Sequence, residues 1–199
     1  MTQVFHSTQA ASSREVEAMR LGTIEFLAMN NPIRRWIQKH FELNLFKRHL
    51  ERHHIDLRAK VIVDAGCGSG YSSELLARTF EPAQLFAFDL MPEQIHLARK
   101  RGLDINFKVG DMTAMELRDE TADAVFIFGV LHHIPHWEKA LGEVARVLKP
   151  AGVLLVEEPQ ERFRWPEFEA GMTRAGFEIL ENCSLLSGYF KSFLGQKPT

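Results

Sequence analysis

The stretch "VIVDAGCGSGYSS", Val61 to Ser73, decides the fold. An apolar run reaches the acid Asp64, glycines alternate at Gly66, Gly68 and Gly70, and a helix start follows. A strand that feeds a helix through so tight a turn opens a parallel α/β sheet, and ligands of such sheets sit beyond the strand ends. The spacing narrows the choice of ligand. The dinucleotide fingerprint G-x-G-x-x-G needs a third glycine for close helix packing, and the position it requires is Tyr71. A phosphate loop would run Gly-Lys-Ser/Thr, and this loop has no lysine. Three glycines in one turn are entropically costly, so the loop is built to let a ligand approach backbone.

Outward from that turn the pattern repeats. Strand-like runs lie at 60–66, 84–90, 105–111, 122–130 and 152–159, with helical patterns at Ser72–Thr79, Pro92–Arg101, His136–Leu148 and Pro166–Ala175. Met112–Glu120 is too short and acidic for a helix. Near-continuous apolar runs separated by helices are what a parallel sheet covered on both faces requires. "KPAG" (149–152) predicts a type I turn with Pro150 presetting φ. Beyond Gly176, "FEILENCSLL" and "YFKSFLGQK" meet through Ser187 and Gly188 and predict a closing antiparallel pair. The expected fold is a doubly wound α/β domain.

The first 60 residues read differently. Residues 1–15 are polar, and Asn31 and Pro32 form a helix N-cap and first turn. Ile33, Trp36, Ile37 and Phe41 follow at helical spacing as a core-facing or lid-forming apolar face. Eight basic against three acidic residues give 31–60 a net +5, the charge of a solvated helix face or of a surface for an anionic partner. The division expected is a helical arm or lid over 1–60 and a ligand-binding domain over 61–199.

Composition bounds the rest. A chain of 199 residues with net charge -2 suits one soluble globular domain. No apolar stretch approaches the ~20 residues of a membrane span, and the N-terminus lacks a basic-then-apolar leader pattern. Cys67 and Cys183 make no disulfide framework. A reduced, cytoplasmic protein without membrane insertion is expected.

With these pieces in order, the sequence resembles the class I S-adenosylmethionine (SAM)-dependent methyltransferases, in their type 11 small-molecule group. "VDAGCGSG", the acid of "LFAFDLMP", "VGDMTAMEL", "DAVFIFGVLHHIP" and "LGEVARVLKPAGVLLVEE" look like its successive motifs. Ala151 stands where the family has glycine, a change the expected type I turn tolerates. The resemblance implies a Rossmann-like seven-stranded sheet of order 3-2-1-4-5-7-6 with the last strand antiparallel. It implies SAM as cofactor and S-adenosylhomocysteine as product. Asp89, 19 residues after Gly70, would accept both ribose hydroxyls, and Asp64 with Gly66, Gly68 and Gly70 would hold the methionine moiety under Tyr71. Leu90 and Met91 would flank the adenine, Asp111 would accept from its amino group beside Met112, and Phe128 would offer its backbone carbonyl.

Methyl transfer is an in-line displacement in which alignment and water exclusion do much of the work. A base is required only where the acceptor must lose a proton. His132, His133 and Glu158, at the ends of strands four and five, are the candidates. Alternation sends Glu157 and Glu158 to opposite faces, so one of the two need face the pocket. Pro135 breaks any metal-binding helical face for His132, His133 and His136, and no metal is expected. Phe163 and Trp165 are candidates for the pocket mouth; Phe26, Met29, Trp36 and Phe41 of the arm are candidates for its wall. The Asn/Asp-Pro-Pro-aromatic element of base amino-methylation in this fold is absent at "FGVLHHIP", as is a Pro-Cys nucleophile, and no nucleic-acid partner is expected. The acceptor is then a small molecule, with the accepting atom (O, N or C) open. A catalytically silent SAM-binding regulator, and a lipid or quinone methyltransferase at a membrane surface, are the alternatives.

Overall fold

The computed structural model describes residues 31–199, so the expectations for 1–30, Phe26 and Met29 among them, lie outside the described residues. Seven strands form one sheet: β1 Val61–Ala65, β2 Gln84–Asp89, β3 Asn106–Val109, β4 Ala122–Phe128, β5 Leu148–Pro159, β6 Glu178–Leu185 and β7 Phe190–Gln196. Their order is β3-β2-β1-β4-β5-β7-β6. Strands β1 to β5 pair in parallel, while β7 runs antiparallel to β5 and β6. The order reverses between β1 and β4, so their C-terminal ends open the crevice where a doubly wound sheet binds its ligand.

Helices cover both faces. They are α1 Pro32–Ile37, α2 Leu43–Arg52, α3 Tyr71–Phe80, α4 Pro92–Arg99, α5 Trp137–Val147 and α6 Trp165–Arg174. Strand alternation sorts the core. Val63, Val125, Ile127, Leu154 and Val156 pack under Leu141 and Val144 of α5 and Phe168 and Met172 of α6. Ile62, Phe126, Phe128 and Leu155 face Phe46 and Leu50 of α2 and Leu76 of α3. Among the described residues no helix is long and apolar enough to cross a membrane.

Three local readings are corrected. Ala151 has φ +61°; with Pro150 fixing the preceding φ near −65°, "KPAG" is a type II turn, whose third position favours glycine. The alanine therefore sits in a strained backbone conformation. Phe163 and Trp165 line neither of the two cavities beside the glycine loop. They join Trp137 of α5, Phe168 of α6 and Phe193 of β7 in an aromatic cluster, and the Trp165 indole donates to the Gln160 carbonyl at 3.0 Å. A 3-10 turn at Leu131–His133 follows β4, and sequence periodicity gave no sign of it.

The arm holds the largest surprise. Asn31 caps α1 as expected, its side chain accepting from the Ile33 N–H at 2.7 Å. A π-helical turn, Gln38–Glu42, joins α1 to α2. Through this region the polar residues point inward. Gln38 and Glu42 are buried, whereas Ile33 is 66% and Trp36 55% exposed. The apolar spacing of Ile33, Trp36, Ile37 and Phe41 marks the outer side, and the core contact begins only at Leu43, Leu45 and Phe46.

Candidate functional site

The glycine loop is built against its neighbours. The Gly66 and Cys67 N–H groups donate to the Phe88 carbonyl at 2.8 and 2.9 Å, which ties the turn to β2. Gly66 has φ +82°, and a Cβ there would lie 2.6 Å from Val130. A Cβ on Gly70, φ +79°, would strike Ala98 at 2.9 Å and press on Phe107. Gly66 thus admits the β4 loop, and Gly70 admits α4. Gly70 lines neither of the cavities described next; its place is in packing.

Two cavities flank the loop and share Gly66. The first is lined by Phe88, Asp89, Leu90, Met91, Gly110, Asp111, Met112, Val130, His133 and Ile134. It is mostly apolar, with acids at two points. Asp111 Oδ1 accepts from the Thr113 N–H at 2.8 Å, and its Oδ2 is buried with no partner. Asp89 Oδ1 accepts from the Met91 N–H at 2.9 Å and Oδ2 from the Gly68 N–H at 2.8 Å. Burial outweighs these bonds and raises the Asp89 pKa.

The second cavity is polar. Arg34, Arg35 and Gln38 of the arm meet Cys67, Gly68, Ser69, Tyr71, Ser72, Gln94 and Phe128 there. Both side-chain polar atoms of Gln94, and Arg35 Nε, are buried without partners. Arg35 and Arg101 lie over the Tyr71 ring at 5.5 and 5.6 Å, a cation–π arrangement that orients both guanidinium groups. Arg35, Gln38 and Gln94 escaped sequence reasoning because nothing local singles out an arginine on a basic arm or a glutamine within a helix. The Phe128 ring packs on Phe46 and Phe126.

Asp64 lies beneath the loop and lines neither cavity. Its Oδ2 accepts from the Ser72 and Ser73 hydroxyls, both at 2.6 Å, which anchors the first turn of α3 to β1. Complete burial pushes its pKa up to about 6 in spite of those bonds. Burial also raises the Cys67 thiol well above its ordinary value, consistent with a small packing residue rather than a nucleophile.

The ends of β4 and β5 carry the remaining candidates. Glu158 Oε1 accepts from the Val130 and Leu131 N–H groups at 2.9 and 2.7 Å. Its Oε2 meets His132 Nδ1 at 2.6 Å. The pair fixes His132 with Nδ1 protonated and Nε2 as the basic nitrogen. His133 lies against His132 with ring centroids 3.9 Å apart and planes tilted by 41°, and it lines the first cavity. The two histidines therefore have different surroundings. Glu157 points to the opposite face, as alternation predicts, and both glutamates are buried rather than exposed. Glu157 lies against Glu42 and Arg34. Arg34 pairs with Glu42. One guanidinium serves two buried carboxyls, and burial with the nearby Glu42 raises the Glu157 pKa well above the usual range. Among the described residues no three His, Cys, Asp or Glu side chains gather as a metal site requires.

Comparison with known proteins bears on this geometry. Residues 63–156 match the family model described as "Methyltransferase domain". A fatty-acid O-methyltransferase of Mycolicibacterium smegmatis is 34% identical over 127 residues, 63% of this chain and 46% of that one. A phthiotriol/phenolphthiotriol dimycocerosates methyltransferase of Mycobacterium ulcerans is 34% identical over 123 residues, 60% of this chain and 45% of its own length. The chain spans about half the length of the curated relatives it matches. A SAM-dependent methyltransferase structure from Aquifex aeolicus superposes with TM-score 0.73 at 19% identity, over 89% of this chain and 99% of that one; at that identity the likeness is one of fold. The matched model and the curated relatives together make residues 63–156 a methyltransferase domain of the type 11 group, on a sheet whose fold is shared with a SAM-dependent methyltransferase.

Proposed function

We propose that the chain transfers a methyl group from SAM to a small, largely apolar acceptor by in-line displacement, leaving S-adenosylhomocysteine. The observation that carries the reading is the pair of dissimilar cavities meeting at Gly66. SAM has the same polarity profile, a nucleoside at one end and an amino acid at the other. The orphaned Asp111 Oδ2 suits an exocyclic amino donor, and the orphaned Arg35 Nε and Gln94 suit a carboxylate and ammonium group. Asp89 keeps lone pairs free beyond its two backbone bonds, enough for ribose hydroxyls. Leu90, Met91 and Met112 supply apolar walls, while Gly68 and Tyr71 border the polar end.

SAM supplies the electrophilic methyl and its own leaving group. This chain supplies position and a proton acceptor. Residues 32–52 would act as the cover, since Arg34, Arg35 and Gln38 close the polar cavity from above. His132 Nε2, the ring nitrogen left free to accept while Glu158 holds Nδ1, would take a proton from an acceptor hydroxyl. Both curated relatives named above are titled for methylation of lipid-like molecules, which favours an apolar acceptor bearing a hydroxyl or carboxyl oxygen. The test is methyl-labelled SAM with purified protein and a cell extract, followed by partition between organic and aqueous phases. Asp89→Ala serves as the blank. Label in the organic phase supports the reading; binding of SAM without transfer into any fraction would favour a silent regulator.

A further inference from the structure

The arm's outer surface is used by nothing described so far. Ile33 and Trp36 are exposed on α1, and Trp36 leans on His40 and Phe41 at 5.4 and 5.3 Å. Along the same side, His40, Phe41, Asn44, Lys47, Arg48 and Glu51 border an open groove. Lys39, Lys47 and Arg48 form no ion pair among the described residues. The side therefore runs from apolar to basic within five helical turns, with an indole at the change-over.

We infer that this outer side of residues 33–48 docks on an anionic lipid bilayer. An indole at an apolar–basic boundary is the arrangement that seats a helix at the headgroup level. Unpaired Lys and Arg beside it gain from a negative surface. A second copy of the chain is a poorer occupant, because a two-fold contact would bring the same cations face to face. The inner side of the same turns lines the polar cavity through Arg34, Arg35 and Gln38, about one helix diameter away, ~10 Å. Docking would thus hold the site at the bilayer surface. The inference extends the reading of an apolar acceptor to the place where that acceptor is met.

The experiment is co-sedimentation of the full chain with phosphatidylcholine vesicles, with and without phosphatidylglycerol, at low and high salt. Binding is expected only with the anionic lipid and should fade at high salt. Trp36→Ser should lower partitioning roughly tenfold, and Lys47→Gln with Arg48→Gln about 30-fold. SAM affinity, measured on the same preparations, should not move, which shows the variants folded. Failure to bind vesicles, binding indifferent to lipid charge, or variants without effect would overturn the docking. A change of oligomeric state in Trp36→Ser, or tighter binding to nucleic acid than to vesicles, would overturn it too. Because SAM binding and methyl transfer are read separately, loss of docking with both retained leaves the enzymatic reading standing.

Discussion

Glu158 holds His132 by Nδ1 at 2.6 Å while its other oxygen takes the N–H groups of Val130 and Leu131. One buried carboxylate thereby shapes the turn after β4 and sets the imidazole tautomer. In Glu158→Gln the amide oxygen can keep the two backbone donors, but the amide nitrogen would then donate to Nδ1 and move the ring proton to Nε2. Transfer should fall about 10²-fold or more, the scale of a lost general base, with SAM affinity unchanged. Imidazole nitrogen chemical shifts would report the tautomer. A full-rate Glu158→Gln or His132→Ala enzyme would remove His132 from the mechanism.

Asp89→Ala should weaken SAM binding by roughly 1.5–3 kcal/mol, the value of hydrogen bonds to a charged group. Because the side chain also ties Gly68 to Met91, thermal stability should fall as well. Calorimetric titration and a melting curve separate the two effects; unaltered affinity would dissociate Asp89 from the ribose.

The two-cavity arrangement makes a sharper demand. Arg35→Ala should lower SAM affinity by about 10-fold or more, as expected for one lost charge-assisted bond, and leave adenosine affinity unchanged. Asp111→Asn should weaken both ligands. Equal losses for SAM and adenosine in Arg35→Ala would place the carboxylate elsewhere.

Acid dependence of stability follows from Asp64. Its pKa rises from an ordinary 3.8 to about 6 on folding, so the folded state binds the proton more tightly. The neutral form is the favoured one. Asp64 therefore contributes its most below the unfolded pKa, and that contribution is lost as pH rises from about 4 to about 6, by up to ~3 kcal/mol. Glu157 acts in the same direction. Asp64→Asn should keep the Ser72 and Ser73 bonds, gain stability relative to wild type above pH 6, and flatten the profile below. Urea denaturation at two pH values measures it, and parallel profiles would contradict the shift.

Ala151→Gly should stabilise the fold by about 1 kcal/mol, since φ +61° costs an L-residue that much relative to glycine. A melting temperature unchanged or lowered would show that the turn carries no strain.

Much of this was legible in the chain. The seven strands and the glycine loop follow from runs whose apolar content is local, the strand order was what the family resemblance implied, and the motifs at Gly66, Asp89 and Asp111 carry their own spacing. What escaped depended on distant partners. Residues 33–41 read as an apolar face because local periodicity cannot register a buried carboxyl at Glu157, far along the chain, which attracts Arg34 inward, where Arg34 pairs with Glu42. Phe163 and Trp165 misled for a similar reason: their aromatic partners Trp137 and Phe193 lie in other elements. The turn at Ala151 was misjudged because proline permits both types I and II, and only the φ of its successor decides.

The π turn at Gln38–Glu42 sets the angular phase of the arm. Counting back from Phe46 at 3.6 residues per turn would direct Lys39 inward; the additional residue in this one loop selects Gln38 instead, and leaves Lys39 exposed. Removing a single residue there would screw everything N-terminal of it by about 100° while α2 kept its grip on the sheet. Arg34 would swing off Glu42, and the indole of Trp36 would leave the outer side. A deletion too small to disturb the core would thus re-index both surfaces of the arm at once.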